Sequence, residues 1–600
     1  MAQRKRTPPA RLSVFSYHAA MASTNQQLSG IFNQMVDVLE ILGSDRFRTN
    51  AFRKISRVLG DLPQDVAQIG ADVKALTKLD GVGKGSAQRI AEFIETGKMQ
   101  DHADLLAKLP PGLPELLTIS GLGPKTIALI WKEAGVESKA DLIEKLKTDE
   151  LAKLPGFGKK KLENIAKSLA FAEKAGGRVR IGQAMPIAQW FVEQLSQLKQ
   201  VKQCQYAGSL RRGKETIGDV DILVAAAAKD ATSISDAFVA LAPVEEILGK
   251  GKTKTSVRTK DNIQVDLRYV EPANFGAALM YFTGSKEHNI KMRERAIKQD
   301  MSLNEYALTN KSDDSTVASK TEKDIYKALG LQWIPPTLRE DKGELIHAES
   351  NELPKLIELK DIKAELHAHT FASDGKWTIS DFADAAIARG YHTIAITDHS
   401  KSQFQANGLD NKRLEQHIKD IHKVAGDYKD KITILAGSEV DILSDGKLDY
   451  PDSLLEQLDV VVASPHAALT QEPAKATPRL LKAIEHPLVT ILGHPTGRII
   501  NYREGLSPDI PALIKAAKQR GIALEINANH HRLDLRDTHA KLALESGVKL
   551  AINTDCHNLD NLDELQYGVL TAQRAGAAKS DVVNCMTNTA LMKWLKSTRA

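Results

Sequence analysis

The chain has 600 residues, of which 42% are hydrophobic and 26% are charged, and its net charge is +5. This composition excludes a low-complexity chain and predicts several globular domains, and the small net charge is only weak support for an anionic partner. No apolar run reaches the length of a membrane span, and the three cysteines, Cys204, Cys556 and Cys585, give no disulfide framework or CxxC pair, so we expect a cytoplasmic protein that does not contact membranes.

The first 20 residues are basic and lack the apolar stretch of a secretory signal. We predict a disordered arm over residues 1–20, with Met21 as a candidate true start. Structured domains are expected from residue 21 onward.

A motif of glycine, one apolar residue, glycine and then a nearby lysine occurs three times between residues 79 and 170, each time before an amphipathic helical pattern. Glycines let the backbone come close to a ligand, and a helix amino terminus with a nearby lysine favours phosphate. A turn in an all-helical domain would explain one copy, but three successive copies favour hairpins that grip the DNA backbone without reading sequence. They resemble helix-hairpin-helix units, here in two helical domains over residues 21–100 and 101–177, and the resemblance implies DNA contacts by Gly81, Gly83, Lys84, Gly121, Gly123, Lys125, Gly156, Gly158 and Lys159.

Two aspartates alternate with apolar residues in Asp219-Val-Asp221-Ile-Leu-Val, so on a strand both side chains project from one face. A third acid, Asp266, lies in another strand-like stretch that could pair alongside. Three clustered carboxylates repel one another unless cations neutralise them, which predicts a site for two Mg²⁺ or Mn²⁺ ions. A solvated strand face is the alternative. The upstream Gly208-Ser209 and Arg212 suit triphosphate binding and weigh against it.

Residues 21–335 resemble the family X DNA polymerases, the group that includes the beta-type enzymes. The resemblance implies a nucleotidyltransferase palm over 178–270 and a thumb over 271–335. It assigns Asp219, Asp221 and Asp266 to the catalytic metals. For the incoming nucleotide it implies contacts by Ser209, Arg212, Gly218, Tyr281, Phe282 and Gly284, with Asn289 at the nascent base pair and Arg293 at the template.

One position departs from the family pattern. Family members with 5′-deoxyribose-phosphate lyase activity carry a lysine nucleophile where this chain has Arg89. A guanidinium stays protonated and forms no imine, so we do not expect lyase activity by that route. Arg48, Arg53 and Lys84 remain candidates for holding a 5′-phosphate.

Residues 336–361 form a charged connector, which begins with the second proline of the pair Pro335-Pro336. Prolines stiffen a linker and charged residues keep it solvated. We therefore expect a solvated linker between two separate modules.

Histidines are concentrated in the last third of the chain, where 13 of the 17 lie between residues 361 and 560. Most follow short apolar runs that predict buried strands, and the segments between these runs have helical length. Alternating strands and helices predict a parallel sheet, which we expect to close into a distorted α/β barrel with its function at the carboxyl ends of the strands. A single histidine would be an ordinary core or surface residue, but an ordered set at strand ends predicts a metal centre.

Residues 362–580 resemble the polymerase and histidinol phosphatase (PHP) domain, which we place over residues 362–600. The resemblance implies three adjacent metal sites. His367, His369, Glu439 and Asp555 form the first, and Glu439 bridges to a second with His466 and His494. The third is implied for Asp374, His399 and His557, although several family members have histidine at the position of Asp374.

Mixed imidazole and carboxylate ligands suit Zn²⁺, Mn²⁺ or Fe rather than Mg²⁺ alone, so up to three such ions are expected. Adjacent cations activate water and clamp the oxygens of a phosphoester, which predicts phosphoester hydrolysis with Glu439 central to the reaction. Arg498 is a candidate for holding the substrate phosphate, with an ordinary surface arginine as the alternative.

Together these features predict a monomeric bacterial repair polymerase that fills short gaps in nicked or gapped duplex DNA and works at the nucleoid. The family resemblance implies a Mn²⁺-dependent 3′-5′ exonuclease in the barrel, with 3′-phosphatase and abasic-site endonuclease activities also open. Three alternatives remain. The barrel could be a small-molecule phosphatase or a structural metal module, or the whole chain could be a non-catalytic scaffold that binds DNA ends.

Overall fold

The computed structural model describes residues 24–599 except 45, 62–64, 80, 120–121, 149, 160, 164, 167–168 and 170–176. The predicted arm and Gly121 lie outside the described residues. Two compact units make up the chain, one within Met1–Gly177 with Ala237–Glu246 and Asn501–Arg503, and the other formed by the remaining residues. No helix in the described ranges is long and apolar enough to cross a membrane.

The amino-terminal unit is helical, and its core contains Leu28, Phe32, Phe52, Ile90 and Ile127. In each glycine motif the apolar residue between the glycines is buried, with Val82, Leu122 and Phe157 at most 6% exposed. Gly83 and Gly123, which follow two of these residues, are exposed and directly precede a helix. The described helices are α1 (Thr24–Leu42), α2 (Arg46–Asp61), α3 (Val73–Leu76), α4 (Lys84–Thr96), α5 (Gln100–Leu106), α6 (Pro124–Ala134) and α7 (Lys139–Lys147).

The palm region contains a five-stranded sheet in the order β2-β4-β7-β6-β5. Its strands β4 and β7 run parallel with Asp221 opposite Asp266, so pairing alone brings two candidate metal ligands together. The elements are β1 (Val179–Arg180), α8 (Ile181–Ser196), β2 (Gln203–Tyr206), α9 (Gly208–Arg211), β3 (Thr216–Ile217), β4 (Asp219–Ala225), α10 (Ala231–Val239), β5 (Val244–Lys250), β6 (Lys254–Thr259) and β7 (Gln264–Val270).

The thumb region packs helices and a small antiparallel sheet, ordered β10-β9-β8, around Met292, Ile325 and Tyr326. Its elements are α11 (Phe275–Thr283), α12 (Lys286–Lys298), β8 (Met301–Leu303), β9 (Leu308–Asn310), β10 (Thr316–Ala318), α13 (Glu322–Ala328) and α14 (Glu344–Glu349).

The expectation of a solvated connector is wrong for part of it, because Thr337, Arg339, Glu344 and Ala348 are buried. Arg339 is fully buried and pairs with Glu322 at 2.6 Å, and Ala348 joins the thumb core. Glu344 is 5% exposed and lies 2.6 Å from His288. The charges of Arg339 and Glu344 are buried because the thumb supplies partners for them, which composition alone cannot reveal.

The carboxyl-terminal region forms a seven-stranded, all-parallel sheet whose strands lie in sequence order from β11 to β17. A parallel bridge between Ala368 and Cys556 connects the chain after β11 to the chain after β17, so the predicted barrel is confirmed as nearly closed. Its elements are β11 (Ala364–Glu365), α15 (Ile379–Ala388), β12 (Thr393–Ile396), α16 (Asn411–Tyr428), β13 (Thr433–Asp441), α17 (Asp452–Leu455), β14 (Val460–Ser464), α18 (Pro473–Ile484), β15 (Ile491–Leu492), α19 (Ile510–Arg520), β16 (Ala523–Asn527), α20 (Asp537–Glu545), β17 (Leu550–Asn553), α21 (Leu565–Ala575) and α22 (Asn588–Ser597).

Within the second unit, charged contacts join the palm to the barrel. Arg574 on α21 pairs with Glu340 at 2.9 Å and donates to the carbonyl of Arg212 at 2.9 Å. Its second carboxylate partner is Asp537, at 2.8 Å. The two modules are therefore packed together through the segment that was expected to separate them.

Candidate functional sites

The palm carries the first candidate metal centre. Asp219 and Asp221 belong to β4 and Asp266 belongs to β7, and one carboxylate oxygen of each lies within 4.8 Å of those of the other two. Lys254 lies 2.5 Å from Asp266, and Arg268 lies 3.9 Å from Asp221. Three carboxylates with two nearby cations suit divalent metal ions that keep several of their own waters.

Electrostatics favour a cation at this cluster. Burial and then the charge of Asp219 raise the pKa of Asp221 to about 6. A divalent ion would offset both effects, since it neutralises the mutual repulsion and supplies the lost solvation. The donor set therefore fits the metal that the sequence predicts.

The first residue of α9, Gly208, lies against the cluster. Its φ is +62°, and a Cβ at this position would lie 2.4 Å from an oxygen of Asp221. Ser209 follows in α9, and Gly218 directly precedes Asp219. Only glycine fits at position 208, because both the backbone conformation and the close approach exclude a side chain.

The two arginines at the carboxyl end of α9 are engaged by carboxylates. Arg211 forms a bidentate pair with the buried Glu322, which also holds Arg339. Arg212 donates to Glu340 at 3.0 Å and to the carbonyl of Thr283 at 2.8 Å. The guanidinium predicted to bind triphosphate is thus paired with Glu340 in this structure.

The thumb segment predicted to contact the nucleotide lies at the end of α11. The rings of Tyr281 and Phe282 meet edge to face at 5.2 Å, and Arg268 lies 4.4 Å over Phe282. Asn289 donates to the carbonyl of Tyr281, and its buried side-chain oxygen has no hydrogen-bond partner among the described residues. Arg293 follows four residues later on α12 and shares its face.

The barrel carries the second candidate centre, built around Glu439 on β13. Its carboxylate lies within 3.7 Å of ring nitrogens from five histidines. The ligand groups that the geometry allows are His367, His369, Glu439 and Asp555; His369, Asp374, His399 and His557; and His399, Glu439 and His466. His494 lies 2.8 Å from Glu439 and belongs to the same cluster. All nine residues that the sequence singled out are therefore together.

These side chains come from successive barrel strands. His367 follows β11, His399 follows β12, His466 follows β14, His494 follows β15 and Asp555 follows β17. The backbone is unusual at two of them, with φ of +21° at His494 and +53° at Asp555. Positive φ is costly outside glycine and concentrates at functional sites.

The carboxylates of this centre remain charged despite their burial. Burial would raise the pKa of Glu439, but His466, His367 and His399 outweigh it and hold the pKa well below its usual range. Burial likewise opposes the charge of Asp555, and His367 and His369 keep its pKa low. Both side chains are available as anionic ligands.

Several buried polar atoms at this centre lack a hydrogen bond within the described residues. They are Nε2 of His367, Nδ1 of His369, His399 and His494, and Oε2 of Glu439. Nδ1 of His399 and Oε2 of Glu439 are 2.8 Å apart, yet they do not have hydrogen-bonding geometry. Buried lone pairs without donors are costly, and the donor set fits metal ions of the Zn²⁺, Mn²⁺ or Fe type.

The acids that orient these histidines were not predicted from the sequence. Glu525 on β16 is fully buried, lies 2.7 Å from Nδ1 of His367 and accepts from the backbone of His494. Asp441 binds Nδ1 of His466 in the same way. Partners of this kind fix the tautomer of a metal-binding histidine. Their only signal in the sequence is an acid inside an apolar strand.

Arg498 is engaged by the palm and not by the candidate metal ligands of the barrel. It is 3% exposed, forms a bidentate pair with Glu215 of the palm and donates to the carbonyl of Leu533. The surface alternative is wrong, because the side chain is buried. It connects the two modules.

A different arginine, Arg532 in the loop after β16, lies at the metal centre. Its Nε is 3.8 Å from Asp555, and its buried Nη1 has no hydrogen-bond partner among the described residues. Burial and then the charge of Arg532 lower the pKa of His494. The sequence signal was its place after the carboxyl end of a barrel strand.

The lysines of the three hairpin motifs, Lys84, Lys125 and Lys159, are all exposed. The two other predicted 5′-phosphate ligands are paired with acids: Arg48 lies 3.8 Å from Asp101, and Arg53 lies 2.5 Å from Glu40. Arg89 donates to Asp101 at 2.6 Å and to the carbonyl of Gly85.

Known families match five stretches of the chain. They are described as a helix-hairpin-helix domain (23–99), a SAM-like helix-hairpin-helix tandem (113–170), a DNA polymerase beta palm (183–263), a DNA polymerase beta thumb (278–340) and a PHP domain (365–529). Fold and centres together define a beta-type nucleotidyltransferase joined to a PHP phosphoesterase.

The chain is 38% identical over 548 residues to the DNA polymerase/3'-5' exonuclease PolX of Bacillus subtilis, covering 91% of this chain and 95% of that protein. It is 27% identical over 354 residues to rat DNA polymerase lambda, covering 53% and 58% of the two chains. A probable phosphatase of Caldanaerobacter subterraneus is 32% identical over 169 residues, which span 27% of this chain and 61% of that one. The chain therefore belongs to the bacterial family X DNA polymerases that carry a carboxyl-terminal PHP domain.

Proposed function

We propose that this protein is a DNA-directed DNA polymerase that fills short gaps during repair and trims 3′ ends with a 3'-5' exonuclease in its PHP domain. The observation that carries the proposal is the presence of two separate candidate metal centres on one chain, one in the palm and one in the barrel. The polymerase and helix-hairpin-helix matches imply DNA binding, nucleotide substrates and divalent metal use.

In the polymerase reaction, Asp219 and Asp221 would hold both metal ions, and Asp266 would help to hold the ion that activates the primer hydroxyl. The ions supply charge neutralisation for the attacking and leaving oxygens. Ser209, Gly218 and Arg212 bind the triphosphate, and Arg212 exchanges Glu340 for a phosphate oxygen when the nucleotide arrives. Tyr281, Phe282 and Gly284 bind the sugar, Asn289 contacts the nascent pair and Arg293 contacts the template.

In the exonuclease reaction, the nine clustered side chains of the barrel would hold up to three ions, and their mixed imidazole and carboxylate ligands favour Mn²⁺, Zn²⁺ or Fe over Mg²⁺. Ions bound there would supply an activated water and polarise the phosphoryl oxygens of the substrate. Glu439 lies near five of the histidines and would serve as a ligand in more than one metal site, and Glu525 and Asp441 orient the imidazoles. Activities on 3′-phosphates and abasic sites use the same cleavage chemistry.

We assign the substrate phosphate to Arg532 rather than Arg498. The support is the position of its guanidinium beside Asp555 and the unpaired Nη1, since a planar fork of donors matches phosphate oxygens. Arg532 thereby offsets charge that develops on the cleaved phosphate.

The substrate is gapped or nicked duplex DNA, bound through the three hairpin motifs at its sugar-phosphate backbone. We propose a monomer that acts at the nucleoid in the cytoplasm. The exposed Lys84, Lys125 and Lys159 support backbone contacts.

A direct experiment separates this proposal from a small-molecule phosphatase in the barrel. The purified chain is given a 5′-labelled duplex with Mn²⁺ in one assay and histidinol phosphate in another, with His367→Ala as the control. We expect shortening of the DNA that His367→Ala abolishes, and no turnover of histidinol phosphate. Turnover of histidinol phosphate alone would overturn the exonuclease assignment.

A further inference from the structure

Two exposed phenylalanines lie on loops at the carboxyl edge of the barrel, next to the metal centre. Phe371 is 56% exposed and follows His369 by two residues. Phe404 is 87% exposed and follows His399 by five. A single exposed apolar side chain is ordinary, but two aromatic rings on neighbouring loops beside a catalytic centre form a surface that can bind planar groups.

Hydrogen bonds hold the two loops against each other. The side-chain amide of Asn407 donates to the carbonyls of Ala372 and Ser373 at 3.3 and 3.2 Å. Arg413 donates to the carbonyls of Ala372 and Asn407 at 2.5 and 3.0 Å. Both loops are therefore fixed relative to one another.

The second loop is also fixed to the centre itself. The backbone of Ser400 donates to the carbonyl of Glu439 at 3.0 Å, and that of Leu409 donates to the carbonyl of His399 at 2.9 Å. A Cβ at Gly408 would lie 2.0 Å from the carbonyl oxygen of Ser400, so the loop folds back tightly on itself. Phe404 thus sits on a rigid support rather than on a loose tip.

Positive charge accompanies the rings. Within the described residues the guanidinium of Arg413 donates to carbonyl and amide oxygens, which carry no charge, so these contacts do not neutralise it. Arg532 lies at the centre itself. Aromatic rings interleaved with cations are the combination by which proteins bind single-stranded nucleic acid, because bases stack on the rings while cations follow the phosphates.

We propose that Phe371 and Phe404 form a stacking platform for the nucleobases of the DNA strand whose 3′ end enters the PHP centre. The inference rests on the proposed exonuclease function and adds the feature that selects a nucleic acid over a small phosphate ester. Recognition by stacking tolerates any base, because every base has an aromatic face.

The test uses two single-stranded oligonucleotides that differ only at the 3′ end, where one carries normal nucleotides and the other stable abasic analogues with the same backbone. The platform predicts a KM about tenfold lower for the base-bearing strand, given the usual strength of base stacking. In the double variant Phe371→Leu/Phe404→Leu, we expect the KM difference between the two strands to disappear while kcat changes little. The single variant Phe404→Trp, with Phe371 intact, should keep this KM difference. Leu542→Ala, an exposed apolar residue on α20, is the matched control and keeps the full difference.

Binding is measured independently of catalysis, by the fluorescence of 2-aminopurine at the 3′ terminus in the presence of EDTA. The measurement uses the Asp219→Ala chain, in which the palm centre lacks one of its ligands. We expect this chain to quench the fluorescence, and we expect less quenching when Phe371 and Phe404 are also changed to leucine. If the leucine variants keep both the base preference and the quenching while His367→Ala still abolishes hydrolysis, the platform is refuted and the exonuclease stands. If His367→Ala leaves hydrolysis intact, the exonuclease assignment itself fails.

Discussion

Two arginines near the barrel centre have opposite roles in this account, and their substitution distinguishes them. Arg532→Ala removes a guanidinium beside Asp555, and we expect exonuclease kcat/KM to fall roughly 100-fold, in line with the loss of one preorganised charge donor. Arg498→Ala breaks the pair with Glu215 and should lower thermal stability while changing the exonuclease rate far less. The reverse order of rate effects in a steady-state DNA degradation assay would return the phosphate role to Arg498.

Substitution of Glu525 tests whether the acids that orient the histidines are needed for the function of the barrel centre. Glu525→Gln keeps the shape of the side chain but removes the charge that faces Nδ1 of His367 at 2.7 Å. We expect metal affinity or exonuclease activity to fall about 10- to 100-fold, because the imidazole loses its orienting partner. Metal content by mass spectrometry and DNA degradation measure the two effects. Polymerase activity in the same preparation is the control, and its parallel loss would indicate misfolding instead.

The candidate ligands could be predicted residue by residue, whereas their partners could not. Histidines and acids that follow apolar runs predict a metal centre, because the carboxyl ends of the strands lie together at one end of a barrel. The contact of His367 with Glu525 spans 158 positions and that of Arg498 with Glu215 spans 283. No local pattern encodes such pairs, so Arg498 was assigned to phosphate and Glu525 was overlooked.

At the scale of single elements, the first residue of α9 provides a sharp test of the palm centre. Gly208→Ala places a methyl group 2.4 Å from Asp221 at a φ of +62°. We expect primer extension to fall at least roughly 100-fold, since a 1 Å displacement at a catalytic site costs about that much. Exonuclease activity should persist. Normal primer extension by this variant would show that Gly208 and Asp221 do not need their present spacing.

The ion pair between Arg211 on α9 and Glu322 on α13 should make the free energy of unfolding depend on pH. Arg339 and Arg211 outweigh the burial of Glu322 and lower its pKa to about 2. A depressed folded pKa stabilises the protein above the unfolded pKa, near 4.5, and that stabilisation is lost as the pH falls toward 2. Glu322→Gln should therefore lower the melting temperature clearly at pH 7 and progressively less below pH 4.5. An equal effect at pH 7 and pH 3, by scanning calorimetry, would contradict the buried ion pair.

Most strands of the barrel were predictable as elements. Thr393–Ile396 and Leu550–Asn553 match apolar runs in the sequence, because strands buried on both faces are continuously apolar. The first strand, Ala364–Glu365, has only two residues and one of them is a buried acid, so no run revealed it. The connector was misjudged for a similar reason. Its charges pair with distant thumb residues, as Arg339 does with Glu322.

On the scale of the molecule, palm and barrel are joined by charged contacts rather than by a flexible linker. Glu340 is shared between Arg212 of the triphosphate loop and Arg574 of the barrel. The connector thereby touches a residue assigned to nucleotide binding. Each activity nevertheless has its own ligand set, so the account requires that the two reactions can be abolished separately.

The most direct measurement follows a 5′-labelled gapped duplex with Mn²⁺, with and without nucleotides, for the unmodified chain and for Asp219→Ala and His367→Ala. The account predicts that Asp219→Ala loses extension and keeps 3′ shortening, while His367→Ala keeps extension and loses shortening. If either variant loses both reactions, or if neither changes the products, the assignment of two independent metal centres is contradicted.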